Sequence, residues 1–443
     1  MKAALLVLFI AGNIFSLNQI ALANEVKPTD PALTLKNALD LNLKNSFQIA
    51  IGKEKVIEKK SVSLERKAVF LPKFSLNISD RSSTTNLKAE GISFPGFPDK
   101  IGPFGTFDAR LTFNETLLNV NLLNEMYAAD EETKTANLEL SQTESDLLYQ
   151  TSILFLTALK TQSSVLSDQA NVALSEELLK FAEHEKEMGI ATVLDVTRAQ
   201  VKLAEDRQRL ITAVSQKNDA ILNLQKQVGI QQGEPLSLDE GYLPEANFPE
   251  IQESLQIALS RRKELAIQSQ KEKVKEIQFK AASGEKFPSV GIFADYGDIG
   301  NGIYDAFPTQ TVGITLNWPF YDGNVRKSHE QTIMSQLLQE KDKSKDAALQ
   351  IELDVRQIYN ELNSIKKEFE LAEERLSLAE KELTLAQHRF EHGIGTHIEL
   401  IKSQTSLTEA REALVEAQFE VRAGILKYFY VTGQMDEFFS QLP

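Results

Sequence analysis

The chain has 443 residues, a formal net charge of −15 and no cysteine. Without cysteine it has no disulfide framework, thiolate metal site, cysteine nucleophile or lipidated N-terminal cysteine. The negative charge argues against a nucleic-acid partner, whose phosphates it would repel.

The N-terminal segment has the three features of a cleavable secretory signal, in the expected order. Lys2 supplies a positive charge, residues 3–17 are mainly apolar, and Ala21 and Ala23 are small residues at the positions that precede a cleavage site. We therefore expect residues 1–23 to be a signal peptide, with a buried N-terminal helix as the alternative. No later segment has the roughly 20 uncharged apolar residues of a membrane-spanning helix, so a membrane form of the exported chain would have to use strands.

The chain matches itself at a long, nearly constant offset. The segment that starts at Gly189 (GIATVLD) is similar to the one that starts at Gly393 (GIGTHIE), and Gln200 pairs with Gln404 at the same offset. An offset of about 200 residues is too long for a solenoid and indicates two copies of one large unit. We divide the mature chain into a first repeat (24–228), a linker or equatorial region (229–250), a second repeat (251–433) and a C-terminal tail (434–443).

Each repeat is predicted to begin with a helix and a pair of strands. Residues 72–81 and 104–115 alternate apolar and polar side chains, as do residues 288–297 and 309–320. A Ser-, Gly- and Pro-rich insertion between residues 81 and 104 is predicted to be a loop. Such strands, with aromatic residues near their ends, suit the wall of a transmembrane barrel. Two hairpins packed in a soluble sandwich are the alternative.

A long helix and a returning helix are predicted to follow each strand pair. Residues 120–188 and 324–392 contain no proline, and a continuous helix of that length would extend about 100 Å. Large and small residues alternate at heptad spacing between Ala372 and Gly424, which indicates knobs-into-holes packing. The corresponding stripe of the first repeat is weakened by Asp206 and Lys217.

The turns between these helices carry matching stop and start signals. Gly189 and Gly393 suit the left-handed conformation that ends a helix. Each is followed by a Thr-x-x-Asp/Glu capping box, starting at Thr192 and at Thr396, that begins the next helix. The sequence therefore predicts two long antiparallel hairpins with equivalent tips.

Four strands cannot close a barrel, and open sheet edges do not survive in hydrocarbon. A membrane interpretation therefore requires several chains to share one barrel. The apolar stripes of the helical hairpins likewise need neighbours to bury them. The predicted object is a homo-oligomeric tube, with strands in a membrane and helices reaching about 100 Å into an aqueous compartment.

The chain resembles the TolC-type outer-membrane efflux protein family, as a non-lipidated member. The similar segments are LTLKNALDLNLKNSFQIA (33–50), MGIATVLDVTRAQVKLAEDR (188–207), GITLNWPFYDGNVR (313–326) and RFEHGIGTHIELIKSQTSLTEA (389–410). The resemblance implies an α+β membrane protein: a homotrimer whose twelve-stranded β-barrel, with four strands per chain, lies in the outer membrane of a Gram-negative cell. A long α-helical coiled-coil barrel continues it across the periplasm.

The resemblance also implies partners and cargo. The tunnel is expected to dock onto an inner-membrane pump through a periplasmic adaptor (membrane fusion) protein and to export drugs, other small molecules or proteins passively. The main alternative is a periplasmic structural or adaptor-like coiled-coil protein without channel activity, which leaves the two alternating strand pairs unexplained.

Residues at the hairpin tips receive roles from the same resemblance. Asp195 and Glu399 match the acidic positions that close the periplasmic end of the tunnel, and Phe390, which matches a common aromatic position, is expected to belong to the same gate. Their capping boxes already give both carboxylates a sufficient structural reason. Threefold assembly would multiply the field of the two carboxylates, so we expect a cation-preferring tunnel. The expected adaptor-contact residues, for which plain exposed turns are the alternative, are Gly189, Ile190, Ala191, Thr192, Gly393, Ile394, Gly395 and Thr396.

The sequence contains no recognisable catalytic constellation. His388 and His392 are one helical turn apart, near Glu391 and His397, but the first repeat has no matching ligand set. The glycine-rich segment 297–302 lacks the Lys-Ser/Thr pair and the following helix of a phosphate-binding loop. We therefore expect no enzymatic activity, cofactor or metal.

Overall fold

The computed structural model describes residues 32–93, 95–234, 236–239 and 248–442. The predicted signal peptide, residues 1–23, and part of the predicted linker lie outside these residues. The described part consists mainly of helices and contains a four-stranded antiparallel sheet. None of its helices combines the length and the apolar composition needed to cross a membrane.

The elements before residue 230 are two consecutive helices, two strands and two long helices. Ser46 separates the first two helices, because its backbone is extended (φ −64°, ψ 124°) and its hydroxyl accepts a hydrogen bond from the Gln48 amide at the start of the second. The elements are α1 (Leu35–Asn45), α2 (Phe47–Ala68), β1 (Lys73–Asn86), β2 (Lys100–Leu118), α3 (Val120–Glu187) and α4 (Val193–Val228).

The elements after residue 250 run in the same order. Arg262, with ψ 120°, separates the first two helices as Ser46 does earlier. The sequence predicted one helix before each strand pair, and this was wrong because a single extended residue divides each of them. The elements are α5 (Ile251–Arg261), α6 (Lys263–Gly284), β3 (Ser289–Gly300), β4 (Ala306–Asn317), α7 (Val325–Glu391), α8 (His397–Val431) and α9 (Met435–Gln441).

The four strands lie in the order β1-β2-β3-β4, and every neighbouring pair is antiparallel. The pairing of β2 with β3 joins the two halves of the chain, while β1 and β4 form the two edges of the sheet. A continuous cross-strand row runs through Phe74, Phe113, Ala294 and Val312. Because side chains alternate along a strand, this row belongs to one apolar face.

The opposite face of the sheet is polar. The Ser75 and Thr112 hydroxyl oxygens lie 2.6 Å apart across β1 and β2. The Arg110 guanidinium donates to the Asp295 carboxylate of β3 and, at 3.2 Å, to Asp108 on its own strand. The sheet of one chain thus presents one apolar and one polar surface.

The first two strands are longer than the sequence predicted. Ser82 pairs with Gly105 and Asn86 with Lys100, so part of the predicted loop belongs to β1 and β2. Polar residues are accepted there because cross-strand pairing satisfies the backbone N–H and C=O groups. The described residues that connect the strands, 87–93 and 95–99, include a short 3₁₀ turn over Lys88–Glu90.

Four clusters of buried apolar side chains hold the described helices together, and two of them account for most of the packing of the hairpins. The larger cluster joins α1, α3, α4, α8 and α9 and includes Phe155, Leu224 and Phe438. A second cluster lies nearer the hairpin tips and includes Leu383 and Leu407, two positions of the predicted heptad stripe. Packing between the long helices therefore fixes the positions of the tips.

Candidate functional site at the hairpin tips

The first tip connects α3 to α4. Gly189 ends α3 with φ +78°, a left-handed conformation that a side chain would strain. The Ile190 and Ala191 amides donate to the Glu185 carbonyl at 2.9 and 3.2 Å. This turn satisfies backbone groups at the end of α3 and reverses the chain.

A complete capping box starts α4. The Asp195 amide donates to the Thr192 hydroxyl at 3.2 Å, and the Thr192 amide donates to the Asp195 carboxylate at 3.0 Å. The hydrogen bond from the Thr192 hydroxyl, together with that amide, holds the pKa of Asp195 below its usual range, and Arg198 contributes in the same direction. Asp195 is therefore a partly buried carboxylate whose ionised form is stabilised by its cap.

The second tip has a similar turn but a different cap. Gly393 has φ +71°, and the Ile394 and Gly395 amides donate to the Arg389 carbonyl at 2.9 and 2.8 Å. The Glu399 amide donates to Thr396 at 3.3 Å. The reciprocal bond of the predicted capping box is not formed, because the longer Glu399 side chain lies instead near Arg389, with Oε2 3.7 Å from Nε.

The two acidic residues thus occupy different environments. Asp195 is engaged by its own cap, whereas the Glu399 side chain is half exposed beside a cation. The apolar tips themselves, Ile190 and Ile394, are exposed to 58% and 69%. The tips therefore present an apolar surface beside acidic groups.

Phe390 lies inside the hairpin bundle and not on its surface. Its ring is buried and makes edge contacts with Phe181 of α3 and with His397 of α8, both at a centroid distance of 5.7 Å. The structure thus brings Phe390 together with His397, which was noted in the sequence only because it is near the histidine pair at 388 and 392. Phe390 therefore packs inside the bundle, whereas the Glu399 side chain is half exposed.

The histidines near the second tip do not converge. His388 lies 3.3 Å from Glu391, and the His392 Nδ1 is 2.7 Å from the His388 carbonyl oxygen, with both rings exposed. In the part of the chain that the structure describes, no cluster of three or more His, Asp or Glu side chains is arranged to hold a metal ion.

A buried polar network that joins α3, α4 and α8 was not predicted from the sequence. Lys202 and Asp206 form an ion pair on α4, Ser175 of α3 donates to Asp206, and Gln404 of α8 donates to Ser175. All four residues are buried. A lysine and an aspartate at i, i+4 spacing on a core-facing stripe were the available signal. Asp206 does interrupt the apolar stripe, but the network gives it partners that join both hairpins.

The family model described as outer membrane efflux protein matches two segments of the chain, residues 58–229 and 254–423. The chain belongs to the outer membrane efflux protein family. Pyoverdine export outer membrane protein OpmQ of Pseudomonas aeruginosa is 22% identical over 309 residues, which are 68% of this chain and 64% of that protein. The chain thus spans somewhat less than two thirds of the length of this relative.

Solved structures of outer-membrane channels share the fold of this efflux family member. VceC of Vibrio cholerae matches with a TM-score of 0.79 and 15% identity, covering 90% of this chain and 96% of that one. CusC matches with a TM-score of 0.81 and 13% identity, covering 93% and 95%. The outer-membrane channel OprN matches with a TM-score of 0.79 and 14% identity, covering 90% of both chains. These likenesses identify the α+β fold.

Proposed function

We propose that this chain is the outer-membrane channel of a tripartite export system. It would act as a passive conduit for drugs, other small molecules or proteins that an inner-membrane pump delivers through a periplasmic adaptor protein. The observation that carries the proposal is the combination, in one chain, of an open-edged sheet with one apolar face and two helical hairpins whose longer helices, α3 and α7, each extend about 100 Å. The similarity to a pyoverdine export protein supports it.

The proposed assembly is a homotrimer. The edge strands β1 and β4 leave backbone groups to pair with other chains, and three copies would supply twelve strands. On the helices, exposed leucines recur every seventh position of α7 at Leu371, Leu378 and Leu385. On α4, Val201 and Ile211 are likewise exposed. Apolar stripes of this kind favour burial against a second copy.

The apolar face of the sheet is proposed to contact outer-membrane lipid. Val312, Ile314 and Leu316 on β4 are strongly exposed in the single chain, and Trp318 and Tyr321 follow the end of that strand. Aromatic side chains at the border of an apolar band are typical of a membrane interface. The polar face with Arg110 and Asp295 would then line the lumen, and the helices would extend into the periplasm.

We further propose that the chain arose from two copies of one unit, residues 24–228 and 251–433. The repeated order of elements and the two segments matched by one family model support this. The two tips, residues 189–192 and 393–396, are proposed to contact the adaptor, since Ile190 and Ile394 are exposed there. Asp195 and Glu399 are proposed to form an acidic ring at the periplasmic mouth, with the buried Phe390 as the aromatic part of the same gate.

Membrane fractionation of an expressing Gram-negative cell tests the proposal. We expect the chain in the outer-membrane fraction, and a detergent-extracted assembly with the mass of three chains. A soluble periplasmic monomer would instead support the alternative of a structural or adaptor-like coiled-coil protein. Cross-linking at positions 190 and 394 to a co-expressed adaptor tests the docking part separately.

A further inference from the structure

His397 occupies an unusual position at the second tip. It is the first residue of α8, directly after an exposed turn, yet it is only 4% exposed. Its ring packs edge-on against Phe390 of α7 at a centroid distance of 5.7 Å. Its Nδ1 atom is buried and has no hydrogen-bond partner among the described residues. Burying a polar nitrogen without a hydrogen-bond partner costs free energy, and the packing of the ring against its neighbours offsets that cost.

Three other helices face the ring. From α3, Ser175 and Leu178 line a narrow gap beside it, and neither carries a charge. From α4, Ala199 lines the same gap, while Asp195 and Arg198 act on the ring through their charges.

The remaining neighbours come from α7 and from the histidine's own helix. From α7, the uncharged ring of Phe390 forms the contact already described. On α8 itself, the nearby Glu399 carboxylate is directed toward Arg389. The charges that shift the pKa of the ring are therefore one carboxylate and one guanidinium, both from α4.

These surroundings oppose a positive charge on His397. Burial lowers the pKa of His397 below its ordinary value of 6.5, Asp195 partly offsets this, and Arg198 lowers it further. The first turn of a helix also disfavours a cation, because its free N–H groups carry partial positive charge. The packed position therefore accepts the neutral ring and disfavours the imidazolium ion.

We propose that His397 is a proton-operated latch on the second hairpin tip. The neutral ring holds the first turn of α8 against α3, α4 and α7, and protonation releases that turn so that the imidazolium ion can reach water. The consequence for export, an easier opening of the periplasmic mouth in acid, rests on the proposed function. The release itself is a property of the tip and can be measured without any channel activity.

The direction of the pH dependence follows from proton linkage. The docked tip binds a proton less readily than the released tip, because the ring has a lowered pKa only when docked. The contribution of His397 to docking of the tip is therefore complete above the ordinary histidine pKa of 6.5. It weakens as the pH falls through that value, and the loss levels off below the pKa of the docked ring.

Hydrogen–deuterium exchange of the full detergent-extracted assembly tests the latch. Labelling times are scaled for the intrinsic exchange rate at each pH, and peptides covering 393–401 are compared with peptides around Leu224 in the buried core. We expect a severalfold loss of protection in the tip peptide between pH 7.5 and 5, with the core peptide unchanged. Equal protection of the tip at both pH values would overturn the latch.

Two variants assign the effect to the histidine. His397→Gln cannot take up a proton in this range, so its tip protection should not change with pH. His184→Gln, at an exposed histidine near the first tip, should keep the wild-type pH dependence. Should His397→Gln fail to assemble, Arg198→Gln serves instead: it removes the cation that disfavours protonation, so the acid loss of protection should be smaller. An unchanged acid loss in whichever of these two assembles overturns the latch.

Channel recordings at the same two pH values separate the latch from the proposed function. Acid release of the tip in a protein that forms no channel would leave the latch standing and reject the proposed function. A conducting channel whose tip protection does not depend on pH would reject the latch and leave the proposed function standing.

Discussion

Lys202 Nζ lies 2.8 Å from Asp206 Oδ1 on α4, and the two side chains are 5% and 0% exposed. An ion pair this deeply buried is stable only while both partners are present, since each charge alone would remain in a poorly solvated site. Asp206 also accepts a hydrogen bond from Ser175, which in turn accepts one from Gln404 on α8. The pair therefore connects the first hairpin to the second.

Removing one partner of this pair should destabilise the assembly strongly. We expect Asp206→Ala to lower the free energy of unfolding by about 3–5 kcal/mol, because Lys202 would be left buried and unpaired. Thermal unfolding, or resistance of the extracted assembly to dissociation, measures this. Asp342→Ala, at a pair whose side chains are both 76% exposed, is the matched control, and a change of under about 0.5 kcal/mol is expected there. Equal losses in the two variants would contradict the account.

The two tip carboxylates should differ in their effect on stability. Asp195→Ala removes a reciprocal cap and should cost about 1 kcal/mol, whereas Glu399→Ala should cost less, since its side chain makes no cap bond. Local exchange protection at the first turns of α4 and α8 measures both. A larger loss at α8 than at α4 would be inconsistent with the observed caps.

The cap of α4 should also weaken in strong acid. Because the pKa of Asp195 is lowered in the folded tip, its contribution is complete above the ordinary value of 3.8. That contribution is lost as the pH falls through the lowered pKa. As the pH falls below 4, the exchange protection at the start of α4 in the wild type should approach that in Asp195→Ala. A difference that persists undiminished at the lowest pH would argue against this carboxylate as the cause.

Adding a positive charge to the apolar face of β4 should impair membrane insertion, whereas adding one to the polar face should not. Val312 lies on the apolar face and is 79% exposed in the single chain, whereas Thr311 lies on the polar face. Val312→Arg should cost about 2–4 kcal/mol in a bilayer and reduce the amount of protein in the outer membrane. Thr311→Arg should leave membrane insertion intact. Quantitative fractionation compares the two, and equal insertion would contradict the proposed lipid face.

The leucine stripe of α7 should carry contacts between copies. Leu378→Glu places a charge on that stripe, and we expect the extracted protein to lose its threefold mass on size-exclusion chromatography with light scattering. Ser377→Glu, one position away and also exposed, points to another face of the helix and should preserve the assembly. An intact trimer in the leucine variant would exclude this stripe as an interface.

The sequence predicted the large features of the fold because they depend on repeated patterns. Heptad spacing located the buried stripe through Leu383 and Leu407, and the glycines at 189 and 393 located both tips. The breaks at Ser46 and Arg262 escaped detection because neither residue is a strong helix breaker, so tertiary packing decides their extended backbone.

The details of the tips depend on contacts between distant residues, which spacing does not reveal. Glu399 has the sequence of a capping residue but lies near Arg389, and only the folded turn brings these two together. His397 gave no signal of burial, because its neighbours come from three other helices. Lys202 and Asp206 were detectable as an i, i+4 pair, but their link to Gln404 was not.

The central claim is that this chain forms an outer-membrane channel with an acidic periplasmic mouth. Conductance of the purified assembly in a planar lipid bilayer tests it most directly, with a salt gradient to measure ion preference. We predict discrete channel openings with a cation-selective reversal potential, and a weaker selectivity when Asp195→Ala and Glu399→Ala are combined. Absence of conductance from a correctly assembled trimer, or an anion-selective reversal potential, would contradict the account.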